Sequence, residues 1–68
     1  MTPLGWRILR FTLATLLREE TCSLSKVRFH RKAQEEGFDT YSSEYRGHLL
    51  RLAEEKIIKL GFTRIYLL

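Results

Sequence analysis

Tyr45-Arg46-Gly47-His48-Leu49-Leu50-Arg51-Leu52-Ala53-Glu54-Glu55-Lys56 has helical spacing, and Ile57-Ile58-Lys59-Leu60-Gly61-Phe62-Thr63-Arg64-Ile65-Tyr66-Leu67-Leu68 has the look of extended chain. The pair supports two readings. In the first, a helix spans Ser43 to Lys56 and residues 57–68 fold back as a two-stranded hairpin. In the second, the helix runs on to Leu60, stops at Gly61, and feeds a single strand from Phe62 to Leu68. Ile58 favours the first. In a continuous helix it would share the polar side with Gly47, Arg51 and Glu54, whereas a strand can turn it inward. With Gly61 leading a two-residue turn, Leu60 would face Thr63, Lys59 would face Arg64, and Ile58 would face Ile65. Two cations directly opposed are unfavourable unless an anion lies near them.

Working outward, the helix places Tyr45, Leu49, Leu52, Ala53 and the stem of Lys56 on one face. Ser43, Arg46, Gly47, Arg51 and Glu54 point away. Before it, Phe38-Asp39-Thr40-Tyr41-Ser42 forms a short turn whose polar side chains can accept backbone amides. A further helix is expected over Lys26 to Glu36, with Val27, His30 and Ala33 inward and Gly37 as its terminator. Alternation of Val27 and Phe29 with Arg28 and His30 also suits a strand. The helix would carry Lys26 and Arg28 at its positive end and Glu35 and Glu36 at its negative end, each a small penalty. Either the segment starts extended or its cations serve a partner.

At the other end, Thr2-Pro3 is a helix entrance, with threonine as cap and proline where no amide bond is lost. The first helix is expected from about Pro3 to Glu19, with Trp6, Leu9, Leu13, Leu16 and Leu17 inward and Ile8 and Phe11 widening the stripe. Thr21 to Ser25 breaks the pattern, and Ser23 or Ser25 can cap the second helix.

Sixty-eight residues hold one domain, spanning 1–68, with one modest core. A large substrate cleft is not expected. Cys22 is the single cysteine, so neither an internal disulfide nor a cysteine-rich zinc site is expected, which points to an intracellular chain. The apolar run Ile8 to Leu17 is short and interrupted by Arg10, so no membrane partner is expected. A formal charge of +4 permits a nucleic-acid partner.

The order helix, short strand, helix, turn, helix, hairpin resembles the winged helix-turn-helix family over the whole chain. Ala33-Gln34-Glu35-Glu36-Gly37 is similar to the small residue, three-residue gap and glycine of helix-turn-helix proteins, and residues 49–58 look like a reading helix passing into a wing. The turn after Gly37 is longer than in that pattern, and Lys56 stands where such families often have glycine. The resemblance implies an α+β, three-helix winged helix-turn-helix with a short C-terminal β-hairpin, and double-stranded DNA as partner. Locally, Tyr45-Arg46-Gly47, Leu49-Leu50, Ala53-Glu54-Glu55 and residues 60–68 are similar to the coenzyme-binding segment of acetyl-CoA-dependent N-acetyltransferases. The glycines of that family's pyrophosphate loop are missing here, and the rest of that fold would not fit.

Lys26, Arg28, His30, Arg31 and Lys32 form the densest cationic cluster, suited either to a solvated face or to phosphates. Ser43, Arg46, Gly47 and Arg51 are the candidates for reading base edges, since arginine can pair with guanine through two bonds. The alternative for Arg51 is an ion pair with Glu54 or Glu55. Lys59 and Arg64 would reach the flanking phosphates. No catalytic group, metal site or cofactor is expected: His30 and His48 lack further ligands at metal spacing, and Ser42, Ser43 and Cys22 lack a base. Leu50, Leu67 and Leu68 are candidates for a homodimer interface. The expected function is a cytoplasmic or nuclear DNA-binding regulator; the alternative is an interaction module within a larger assembly. Nothing in the residues separates DNA from RNA.

Overall fold

The computed structural model describes residues 2–68 and contains three helices and one antiparallel sheet of three strands. Helix α1 (Pro3–Leu17) opens as its sequence demands: Thr2 Oγ1 accepts the Gly5 N–H at 3.1 Å and Pro3 fills the first turn. Its inward face is Gly5, Ile8, Thr12 and Leu16, and Trp6 and Leu17 lie exposed. The helix is therefore rotated by about one residue from the expected stripe through Trp6 and Leu13. Both stripes step by three or four along the chain, so spacing alone does not set the phase. The helix also closes at Leu17, two residues before the expected Glu19.

Cys22 takes a left-handed backbone, φ 52°, and is half-buried. It turns the chain into strand β1 (Ser23–Ser25), which leads without a linker into α2 (Lys26–Glu35). Ser25 ends the strand and caps the helix, accepting the Arg28 N–H at 3.3 Å. The Lys26 N–H bonds the Thr63 carbonyl at 2.9 Å. Phe29 and Ala33 are buried; Val27, expected inward, is 69 % exposed. The Val27/Phe29 alternation is thus helical after all, with Phe29 inside and Val27 out. Gly37, φ 94°, donates to Gln34 and Phe38 to Ala33, so two terminal carbonyls of α2 are satisfied.

Asp39, Thr40 and Ser42 each hold the connection: Asp39 Oδ1 accepts from Tyr41 N–H, Thr40 Oγ1 from Gln34, and Ser42 Oγ from Tyr45 N–H. Ser42 is thereby the cap of α3 (Ser43–Glu54). Lys56 lies beyond the helix and does not lay its stem on the inner face. It adopts φ 61°, donating to Ala53 while Ile57 donates to Leu52, the same closure as at Gly37 with lysine in the glycine's place. Helix α3 therefore does not continue to Leu60.

Strands β2 (Ile58–Leu60) and β3 (Arg64–Leu67) form the hairpin, and β3 also pairs with β1, giving the order β1-β3-β2. Ile58 is 1 % exposed, the inward turn that favoured this reading. The register differs from expectation. Leu60 pairs with Ile65, Lys59 with Tyr66 and Ile58 with Leu67, while Arg64 pairs with Ser25 of β1. Lys59 and Arg64 are not opposed. The loop between the last paired residues is 61–64, closed by Gly61 N–H to Arg64 C=O at 2.8 Å, and this longer loop avoids the cation pair.

Leu24, Ile58 and Ile65 of the sheet meet Ile8, Leu16, Phe29, Leu49 and Leu52 of the helices in one core. Each fully buried side chain of this size contributes about 1.5–3 kcal/mol. Aromatic contacts tie all three helices: Phe11 to Phe29 at 5.3 Å, His30 to Tyr45 at 5.6 Å, and Phe38 to both Phe11 and Tyr45. Thr12 Oγ1 is buried among these apolar groups without a hydrogen-bond partner. No described helix is long and apolar enough to cross a membrane.

Candidate functional site

Helices α2 and α3 form the walls of a surface groove of about 640 Å³, with Leu60 and Ile65 of the hairpin among its lining. Its apolar lining continues with Val27, Tyr41, Leu49 and Leu50. Tyr41 and Leu50 are 79 % and 55 % exposed, so apolar surface extends to the rim. The charged residues lining the groove are Lys26, Arg31 and Arg46, with no carboxylate among its lining residues.

Helical geometry divides the basic cluster of α2. Lys26, His30 and Arg31, with Val27 and Gln34, line the groove. Arg28 and Lys32 do not, because positions 28 and 32 lie one turn apart on the opposite flank. What reads as one cluster along the chain is two on the helix.

On α3, Ser43, Arg46, Gly47 and Arg51 are all exposed. Ser43, Gly47 and Glu54 lie along the centre of the outer face at steps of four and seven, and Arg46 and Arg51 flank them on opposite sides. Arg46 is the flank that faces the groove. Arg46 and Gly47 lie inside the helix rather than in a loop, so no backbone cradle for a pyrophosphate exists there.

The hairpin carries Lys59, exposed, and Phe62, which at 98 % is the most exposed large apolar side chain of those described. Arg64 is half-buried and already engaged: its Nε and Nη2 donate to Ser23 Oγ at 3.3 and 3.0 Å, and Ser23 Oγ also lies 2.8 Å from Thr21 Oγ1.

His30 connects the groove to the core. Its Nδ1 is 2.9 Å from the Tyr45 hydroxyl. Burial, then the charges of Lys26 and Arg46, hold its pKa below the ordinary histidine value. Nδ1 and the phenol share one hydrogen bond, whose direction follows the imidazole tautomer. Burial pushes the Tyr45 hydroxyl up to about 12, so the phenol keeps its proton. His48 Nε2 lies 3.4 Å from Thr2 Oγ1. Among the described residues no cluster of three or more histidine, cysteine or acidic side chains could hold a metal ion.

Tyr41, Val27 and Phe62 were not singled out for function by sequence reasoning. Their only signal was an apolar residue at a turn, at a helix start or beside a turn glycine, a pattern that buried residues share. Comparison with protein-family models, with curated proteins and with solved structures finds no match to this chain.

Proposed function

We propose that this chain is a winged helix-turn-helix domain that binds double-stranded DNA as a small regulator or accessory factor, in the cell's DNA-containing compartment. The observation that carries the reading is the α3 face: an exposed strip with Ser43 and Gly47 at its centre and Arg46 and Arg51 on its flanks, beside the groove-side cations of α2. The element order, with a short strand before α2 and a hairpin after α3, supports this reading. Helix α3 enters the major groove, where Arg46 and Arg51 reach base edges and Gly47 lets the backbone approach closely. Lys26 and Arg31 then contact one phosphate strand, Lys59 contacts the flank, and Arg28 and Lys32 act only if the duplex bends around α2. Arg64 joins them only by leaving Ser23. Two copies bind paired half-sites, which sedimentation with and without DNA tests.

Fluorescence anisotropy of a labelled random duplex provides the main test, comparing the wild type with Lys26→Ala/Arg31→Ala and Arg28→Ala/Lys32→Ala. Binding should weaken steeply with salt, with a log–log slope of about 0.9 for each phosphate the protein neutralises. The first variant should bind more weakly than the second. Absence of duplex binding at low salt sinks the proposal.

A further inference from the structure

The DNA reading uses the cations around the groove and leaves its apolar lining without a role. A duplex offers little apolar surface beyond thymine methyl groups, yet Val27, Tyr41 and Leu50 stand exposed beside the half-buried Leu60. We propose that this groove is a docking site for an acidic amphipathic helix of a partner protein.

Three features select that occupant. First, the walls are two helices, and a groove of this kind accepts a helix whose apolar residues recur at i, i+3, i+4 and i+7. A β-strand would need ladder bonds from a free sheet edge, whereas here the sheet contributes side chains, Leu60 and Ile65. Second, the charged side chains that line the groove are cations, Lys26, Arg31 and Arg46. Acidic residues flanking the partner's apolar stripe would meet them, which speeds encounter and fixes orientation. Third, a second copy of this chain is a poor occupant, because it brings a formal charge of +4 to a cationic rim. Leu50 and Tyr41 are the anchors expected to dominate, being apolar, exposed and adjacent to the buried floor of Leu49 and Ile65. This assignment differs from the DNA reading in resting on the apolar lining, and it shares the cations Arg31 and Arg46 with it. It adds one consequence: a duplex and the partner helix both need Arg46 and Arg31, so they exclude each other.

The test is a display selection from a random 16-residue peptide library on the immobilised full chain, followed by anisotropy with the enriched peptides in the absence of DNA. The expected peptides are net acidic with apolar residues at helical spacing. Leu50→Asp should weaken their binding at least tenfold, and Arg31→Glu/Arg46→Glu should do the same with a flatter salt dependence. Leu50, Arg31 and Arg46 are exposed, and circular dichroism verifies that the variants fold. Enriched peptides that are neutral or basic, or acidic ones held equally well by Leu50→Asp, overturn the proposal. So does self-association of the wild type that Leu50→Asp abolishes, which would give the groove to a second copy. Loss of duplex binding alone leaves these outcomes unchanged, so the two proposals fail separately.

Discussion

Gly47→Ala should make the protein more stable and, on the DNA reading, a poorer binder. Gly47 sits in the interior of α3 on its exposed side, and an added Cβ would meet no atom within 4 Å. The methyl therefore costs nothing in packing, and the change removes the glycine penalty of about 0.8–1.0 kcal/mol in an exposed helix interior. For a domain of this size that raises the melting temperature by roughly 4–8 °C, readable by thermal circular dichroism. A duplex pressed against the helix at this point would meet the new methyl, so affinity should fall severalfold while stability rises. Opposite movement of the two quantities is difficult to obtain by general damage, which is why the substitution is informative. An unchanged or lower melting temperature would refute the placement of Gly47 in an open helix interior. A higher melting temperature with unchanged affinity would refute close approach of DNA to this strip.

Three further outcomes are expected. Lys56→Gly relieves the left-handed strain at φ 61°, and after the greater freedom of the unfolded glycine it should still stabilise by about 0.5–1 kcal/mol in urea denaturation. Thr12→Val removes the unpartnered buried hydroxyl and should raise stability by about 1 kcal/mol in the same assay, a result opposite to the usual cost of core changes. Because the folded pKa of His30 is depressed, its contribution to stability is present above the unfolded value of about 6.5 and is lost as pH falls through the folded one. His30→Gln should flatten that part of the pH–stability curve.

Much of the fold was legible in local chemistry. The caps at Thr2 and Ser25, the terminator Gly37 and the inward demand of Ile58 each set an element's type, and all act within a few residues. What was not legible depended on distance. The phase of α1 is set by which neighbours arrive, and Phe29 rather than Val27 faces in because Phe11 of α1 waits for it. The hairpin register depends on Ser25 and Ser23, about forty residues away, which take Arg64. Lys56 in a left-handed position violates the preference that would have announced the helix end. At the site, the cations were visible as a run, but their division between two flanks of α2 and the apolar groove beside them arise only when α2 and α3 are set side by side.

The joint at Ser25 makes α2 and the hairpin one mechanical part. Ser25 belongs to the strand and to the helix cap at once, and the next amide is fastened to Thr63, beside the exposed Phe62 at the hairpin tip. There is no slack between them. A load applied at Phe62 is therefore delivered to the first turn of α2, where Lys26 and Val27 stand at the mouth of the groove. Tip and groove then present themselves to a partner at a fixed angle, and little freedom is lost when both are engaged. Lengthening this joint by one residue would leave every contact residue in place and still uncouple the two surfaces.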